Sequence, residues 1–181
     1  MYNYNKTNYK QQVEIMRRCT ADALDGSDIW IWDAGCEQWL ETLFFSHHDI
    51  TEIANHANCP ETEIMRKIQE LDLYNRYNSL PFQQRYGDGE STPETPKDDL
   101  FSSDSYIRAI EQMRRATPTF DREQFTWSEE KSDLLDRMFC TSVGITAMAL
   151  ALGCTEPMVM EQILKENLYQ SMDFPLFSYC Y

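Results

Sequence analysis

The chain of 181 residues lacks any apolar run near the 18 or so residues that cross a bilayer, which excludes a membrane-spanning helix. Its first ten residues, Met1-Tyr-Asn-Tyr-Asn-Lys-Thr-Asn-Tyr-Lys10, have no apolar segment, so no secretory signal and a cytoplasmic location are expected. The six cysteines, at 19, 36, 59, 140, 154 and 180, form no Cys-x-x-Cys pair, and reduced thiols are the default. His47, His48, His56, Cys36 and Cys59 crowd into the first half, yet their spacing matches no familiar zinc framework. With six glycines in all there is no phosphate-cradling loop. Nor is there a nucleophile elbow, a His-Glu-x-x-His, or a carboxylate pair in a setting that would shift its pKa. A protein without catalytic residues, cofactor or metal is expected. Cations are scarce as well: sixteen basic against thirty acidic residues give a net charge of −14. Such a field repels phosphate and opposes broad binding to DNA, RNA or anionic lipid.

What is present is enough for a core, with 42% hydrophobic and 13% aromatic residues, and it is written twice. At a shift of 95, Trp32 meets Trp127, Leu40 meets Leu135, and Phe44 meets Phe139. Ile50-Thr51 meets Ile145-Thr146, Cys59 meets Cys154, Glu61 meets Glu156, and Leu73-Tyr74 meets Leu168-Tyr169, with no gap from Trp32 to Tyr86. Upstream, at a shift of 97, Tyr9 meets Tyr106 and Met16-Arg17-Arg18 meets Met113-Arg114-Arg115. Chance similarity of amphipathic segments does not explain an ungapped register that runs into a matched tail. Two units of one kind are expected, at 8–86 and 105–181, joined by a flexible acidic linker at 87–104 rich in Gly, Pro and Ser.

Within unit two, Tyr106, Ile107, Ile110 and Met113 predict a helix that ends near Arg115, before Pro118. Thr126-Trp-Ser-Glu129 has the form of a capping box. Leu134, Leu135, Met138 and Phe139 line the next helix; Ile145, Met148, Ala149 and Leu152 line a short one. Gly153 suits a left-handed C-cap and Thr155 an N-cap, after which Val159, Ile163 and Leu164 line a third helix ending near Asn167. Unit one repeats this, with Trp39, Leu40, Leu43 and Phe44, then Asp49 and Glu52 as a capping pair, then Pro60 opening the last helix. The expected fold is all-α: two tandem repeats, each a helix followed by a tri-helical helix-turn-helix.

The run from Trp127-Ser-Glu-Glu through Leu135, Ile145, Ala149-Leu-Ala-Leu-Gly153-Cys-Thr-Glu, Val159 and Ile163 to Leu168 resembles Myb/SANT-like modules. It also resembles the bacterial cell-cycle regulator family that opens with a Trp-Thr-Glu-Glu helix-turn-helix. The resemblance covers roughly 45 residues of each unit and implies that the third helix reads DNA or, in some members, binds protein. The third helices here are acidic: Glu61, Glu63, Arg66, Lys67, Glu70 and Asp72 in one, Glu156, Glu161, Lys165 and Glu166 in the other. A recognition helix needs cations at the phosphates.

Three readings follow. The first is an acidic regulator that binds a basic protein partner, such as RNA polymerase, a sigma factor or another nucleic-acid-binding protein, with mimicry of DNA charge as its extreme form. The second is a sequence-specific DNA-binding transcription regulator using Arg66, Lys67, Asn75 and Arg76. The third is an assembly protein. Contact residues under the first two are Glu61, Glu63, Arg66, Lys67, Arg76, Glu156, Glu161 and Lys165, with Arg17, Arg18, Arg114 and Arg115 as phosphate clamps. The same arginines suit cations at a helix C-terminus. Phe174, Leu176, Phe177 and Tyr181 form a tail that either folds back as core or offers an interface.

Overall fold

The computed structural model describes residues 6–24, 30–79 and 104–171. Among them the protein is all-helical, with no strand. Helix α1 (Lys6–Leu24) precedes α2 (Ala34–Phe45), α3 (Ile50–Ala57), α4 (Glu61–Glu70) and α5 (Leu73–Ser79). The second unit runs α6 (Asp104–Ala116), a 3₁₀ turn at Thr117–Thr119, α7 (Glu129–Cys140), α8 (Ile145–Leu152), α9 (Glu156–Lys165) and α10 (Leu168–Ser171). The paired helices α2 and α7, α3 and α8, and α4 and α9 have equal lengths of 12, 8 and 10 residues, each offset by 95.

Local chemistry sets these boundaries. Asp33 and Thr155 accept backbone N–H groups of Cys36 and Met158 at the starts of α2 and α9, satisfying donors the helix leaves open. Left-handed residues end the helices in matched pairs: His47 with Ser142, Asn58 with Gly153, and Asp72 with Asn167. Gly153 takes that conformation without a Cβ penalty, whereas Asn58 occupies it as one of the few side chains that tolerate it.

Several expectations are corrected. The N-cap of α7 is Ser128, which accepts from Lys131 N–H, so Thr126-x-x-Glu129 is not the capping box. Leu164, expected to line α9, is exposed on it. Trp39 is also exposed, because α2 turns Leu40 and Phe44 to the core instead. Asp104, assigned to the linker, is the first residue of α6. The rest of that linker, and Phe174, Leu176, Phe177 and Tyr181, lie outside the described residues.

The two units share one core. Val13, Phe44, Ile53, Ile68, Phe139, Met148, Val159 and Ile163 belong to a single buried cluster. The first helix of each unit reaches across: α1 packs on α3 and α4 and also on α10, while α6 packs on α8 and also on α5. Helices α3 and α8 meet each other, as do α4 and α9. Both third helices therefore meet at the junction of the units, and α9 buries seven of its ten residues.

Candidate functional site

At the junction stands a polar network that closes on itself twice. Arg17, from α1, and Glu61, at the start of α4, are fully buried. The Arg17 guanidinium donates through Nε and Nη2 to the Glu61 carboxylate at 3.2 Å. Its Nη1 and Nη2 donate at 2.6 Å to the carbonyls of Phe139 and Val143, in the other unit. Its carbon lies 4.2 Å above the Phe139 ring. Glu61 also accepts from the Thr51 hydroxyl at 2.5 Å and from the Tyr169 hydroxyl at 2.7 Å.

Unit two returns each of these contacts. Arg114 holds Glu156 at 2.9 Å, donates to the carbonyls of Phe44 and His48 at 2.6 and 2.7 Å, and stacks 4.2 Å from the Phe44 ring. Glu156 accepts from Thr146 at 2.6 Å and from Tyr74 at 2.8 Å. Residue i of one unit contacting j of the other, and j contacting i, is the pattern of a two-fold interface. Burial, and then the adjacent glutamate, push the Tyr74 and Tyr169 phenols well above their ordinary pKa, so both remain proton donors.

Arg17 and Arg114 are therefore buried in the junction rather than placed as phosphate clamps; Arg114 lies in the last turn of its own helix, Arg17 does not. Each caps the C-terminal carbonyls of a helix in the other unit, Arg17 at α7 and Arg114 at α2, where a cation also complements the helix dipole. Glu61 and Glu156, expected on an acidic contact face, are instead core residues. An exposed arginine or glutamate would be solvated. These are dry because one bidentate ion pair and a full set of donors and acceptors offset the loss of water.

The remaining expected contact residues, Lys67 excepted, lie on or near the surface, and acids already occupy most cations of α4 and α5. Arg66 pairs with Glu63 at 2.9 Å and with Glu70 at 2.6 Å. Lys67 is buried except at its edge, pairs with Glu37 and Glu70 at 2.5 and 2.9 Å, and lies 5.7 Å from the Trp32 ring. Arg76 pairs with Glu41 at 2.6 Å. Glu63 further accepts from the Trp32 indole at 2.9 Å, and Asn75 donates to Asp72 at 2.7 Å. Arg115 pairs with Glu111 at 2.8 Å, Arg18 is half-buried on α1, and Glu161 pairs with Arg122 at 3.1 Å. Lys165 is exposed at the end of α9.

Unit two also carries exposed acids that sequence reasoning did not single out. Glu129, Glu130, Asp133 and Asp136 are exposed on α7, and none has a cationic partner among the described residues. Glu129, Asp133 and Asp136 share one face at helical spacing. Their counterparts on α2 are Ala34, Gln38 and the paired Glu41.

The histidines separate. His47 is buried against the Tyr77 hydroxyl at 2.6 Å, and burial holds its pKa down to about 4. His48 and His56 both turn to Glu52, which raises the pKa of His48. Among the described residues no group of three or more His, Cys, Asp or Glu is arranged for a metal. Cys59 and Cys154 are buried at matching turns, and burial pushes each thiol up to about 12. No described helix is long and apolar enough to cross a membrane. No family, known protein or solved structure matches the chain.

Proposed function

We propose that the protein is a non-enzymatic acidic regulator that binds a basic protein partner of the transcription or nucleic-acid machinery, such as RNA polymerase or a sigma factor. The observation that carries this reading is the placement of charge. The helices that would read DNA in the families it resembles are packed into the junction between units, and the cations of α4 are tied to Glu37, Glu63 and Glu70. The net charge is −14, and the exposed acids of α7 form no ion pair among the described residues. A surface of this kind attracts a basic partner over a range set by salt and repels duplex phosphate. The contact face moves accordingly from Glu61 and Glu156, which are buried, to Glu129, Glu130, Asp133 and Asp136.

The test is anisotropy of the labelled protein against RNA polymerase with and without its sigma factor, and against a mixed-sequence duplex, at about 50 and about 200 mM salt. The expected outcome is polymerase or sigma-factor binding that weakens with salt, is lost on Glu129→Lys/Asp133→Lys, and is accompanied by no duplex binding at either salt. Duplex binding that falls steeply with salt would overturn this reading in favour of a DNA-binding regulator.

A further inference from the structure

The N-termini of α3 and α8 meet end to end where the two units join. The Thr146 hydroxyl accepts the Ile50 N–H at 3.0 Å, and the Thr51 hydroxyl accepts the Ile145 N–H at 2.9 Å. Two positive helix ends therefore face each other. A single carboxylate lies between them. Asp49 accepts from Thr51 N–H in its own helix at 2.8 Å and from Ala147 N–H in the other at 3.1 Å. The position matching Asp49 in unit two is Gly144, which makes no side-chain cap. A Cβ placed on Gly144 would come within 2.3 Å of the Asp49 carboxylate. The reciprocity of every neighbouring contact stops at this pair: one carboxylate fills the space that symmetry would give to two.

We propose that the junction is a recognition surface that accepts only an unlike unit: Asp49 is the projection, the space beside Gly144 is its slot, and unit one cannot pair with unit one of a second copy. Two copies of unit one would bring two carboxylates into one site, overlapping in volume and alike in charge. Two copies of unit two would fit but would leave the N–H groups of both helix ends without the shared cap. The pairing of unlike units meets neither cost. The partner selected by this surface is the chain's own other half, and the chain closes on itself.

Gly144→Asp places within one chain what two copies of unit one would present to each other. Asp49→Gly does the same for unit two. Asp49→Gly/Gly144→Asp restores one carboxylate and one slot, in mirrored order. Urea unfolding and sedimentation velocity of the full chain would be compared across the four proteins. Gly144→Asp is expected to lower the folding equilibrium constant about a hundredfold or more and to expand the molecule. Asp49→Gly is expected to lower it about tenfold, a lost cap at two helix ends. The exchanged protein should recover most of the larger loss and sediment as the wild type does. A Gly144→Asp protein no less stable than Asp49→Gly, or an exchanged protein no better than Gly144→Asp, would overturn the proposal.

Discussion

The two units agree inside and differ outside. Apart from Asp49 opposite Gly144, their junction repeats: Arg17 with Arg114, Glu61 with Glu156, Thr51 with Thr146, Tyr169 with Tyr74, and Phe139 with Phe44. Their surfaces do not repeat. Unit one pairs its charges internally, with Lys67, Arg66 and Arg76 each held by α2 or α4 glutamates. Unit two replaces Lys67 by Gln162 and Glu37 by Ser132, and leaves the acids of α7 facing water. A buried bidentate network tolerates little change, because any lost partner leaves a dry charge behind. A solvated face tolerates much, and the two units have used that freedom differently. This contrast separates the part of the molecule that makes the fold from the part that offers a surface.

The largest break in that likeness comes from the buried arginines. Arg17→Ala and Arg114→Ala should each cost about 3–5 kcal/mol in urea unfolding, a large share of the stability of an ordinary domain. Each removes the one cation that, among the described residues, pairs with a buried glutamate, and takes the guanidinium donor from two carbonyls of the other unit. Near-equal losses are expected, since the networks are the same. A loss confined to one of the two would mean that the units do not depend on each other equally.

A smaller effect sharpens the contrast at Asp49, a half-buried acid whose matching position is Gly144. Burial raises the pKa of Asp49 to about 6, against the N–H groups of Thr51 and Ala147, which lower it; Glu156 and Glu61 add to the rise. Tyr9 and Tyr106 face it from α1 and α6, their own pKa values raised by burial and by Asp49. A raised acid binds its proton more tightly folded than unfolded. Its contribution to stability therefore grows as pH falls from about 6 toward the ordinary value of about 4, and is lost as pH rises. His47 works in the opposite sense over nearly the same window. Its folded pKa of about 4 lies below the ordinary imidazole, so acidification from about 6.5 costs stability. Comparison of the wild type with Asp49→Asn removes the groups common to both. The difference in urea midpoint should move in favour of the wild type between pH 7 and pH 4.5. A constant difference would show that Asp49 does not titrate in that range.

The smallest expected effect is at the surface of unit one. Arg66→Ala breaks ion pairs with Glu63 and Glu70 that are open to water, and should change stability by about 0–1 kcal/mol. It should leave polymerase binding unchanged, because α4 lies in the unit whose charges are already matched. Loss of binding on Arg66→Ala would move the contact face from unit two to unit one.

Much of the fold was legible in the residues. The helices, the left-handed turn at Gly153, the caps at Asp49 and Thr155 and the offset of 95 all rest on local chemistry or on spacing, which one chain displays along its length. The junction was half legible. Thr51, Glu61, Phe44 and Tyr74 and their counterparts were matched as identical residues, and that identity was the available signal that they do one job twice. By itself it shows repetition and not contact. Charged residues on a helix face suggest solvent until a partner is known, so the sequence alone points Arg17, Arg114, Glu61 and Glu156 outward.

The sequence by itself determined an acidic all-α chain in two matched units, because composition, periodicity and capping act between residues close in the chain. Only the tertiary structure decided that the units share one core and that the arginine of each closes a helix of the other. It alone placed one aspartate to serve two helix ends. Those facts depend on distances across 66 to 126 positions of sequence, where no local rule reaches and where burial reverses the meaning of a charge.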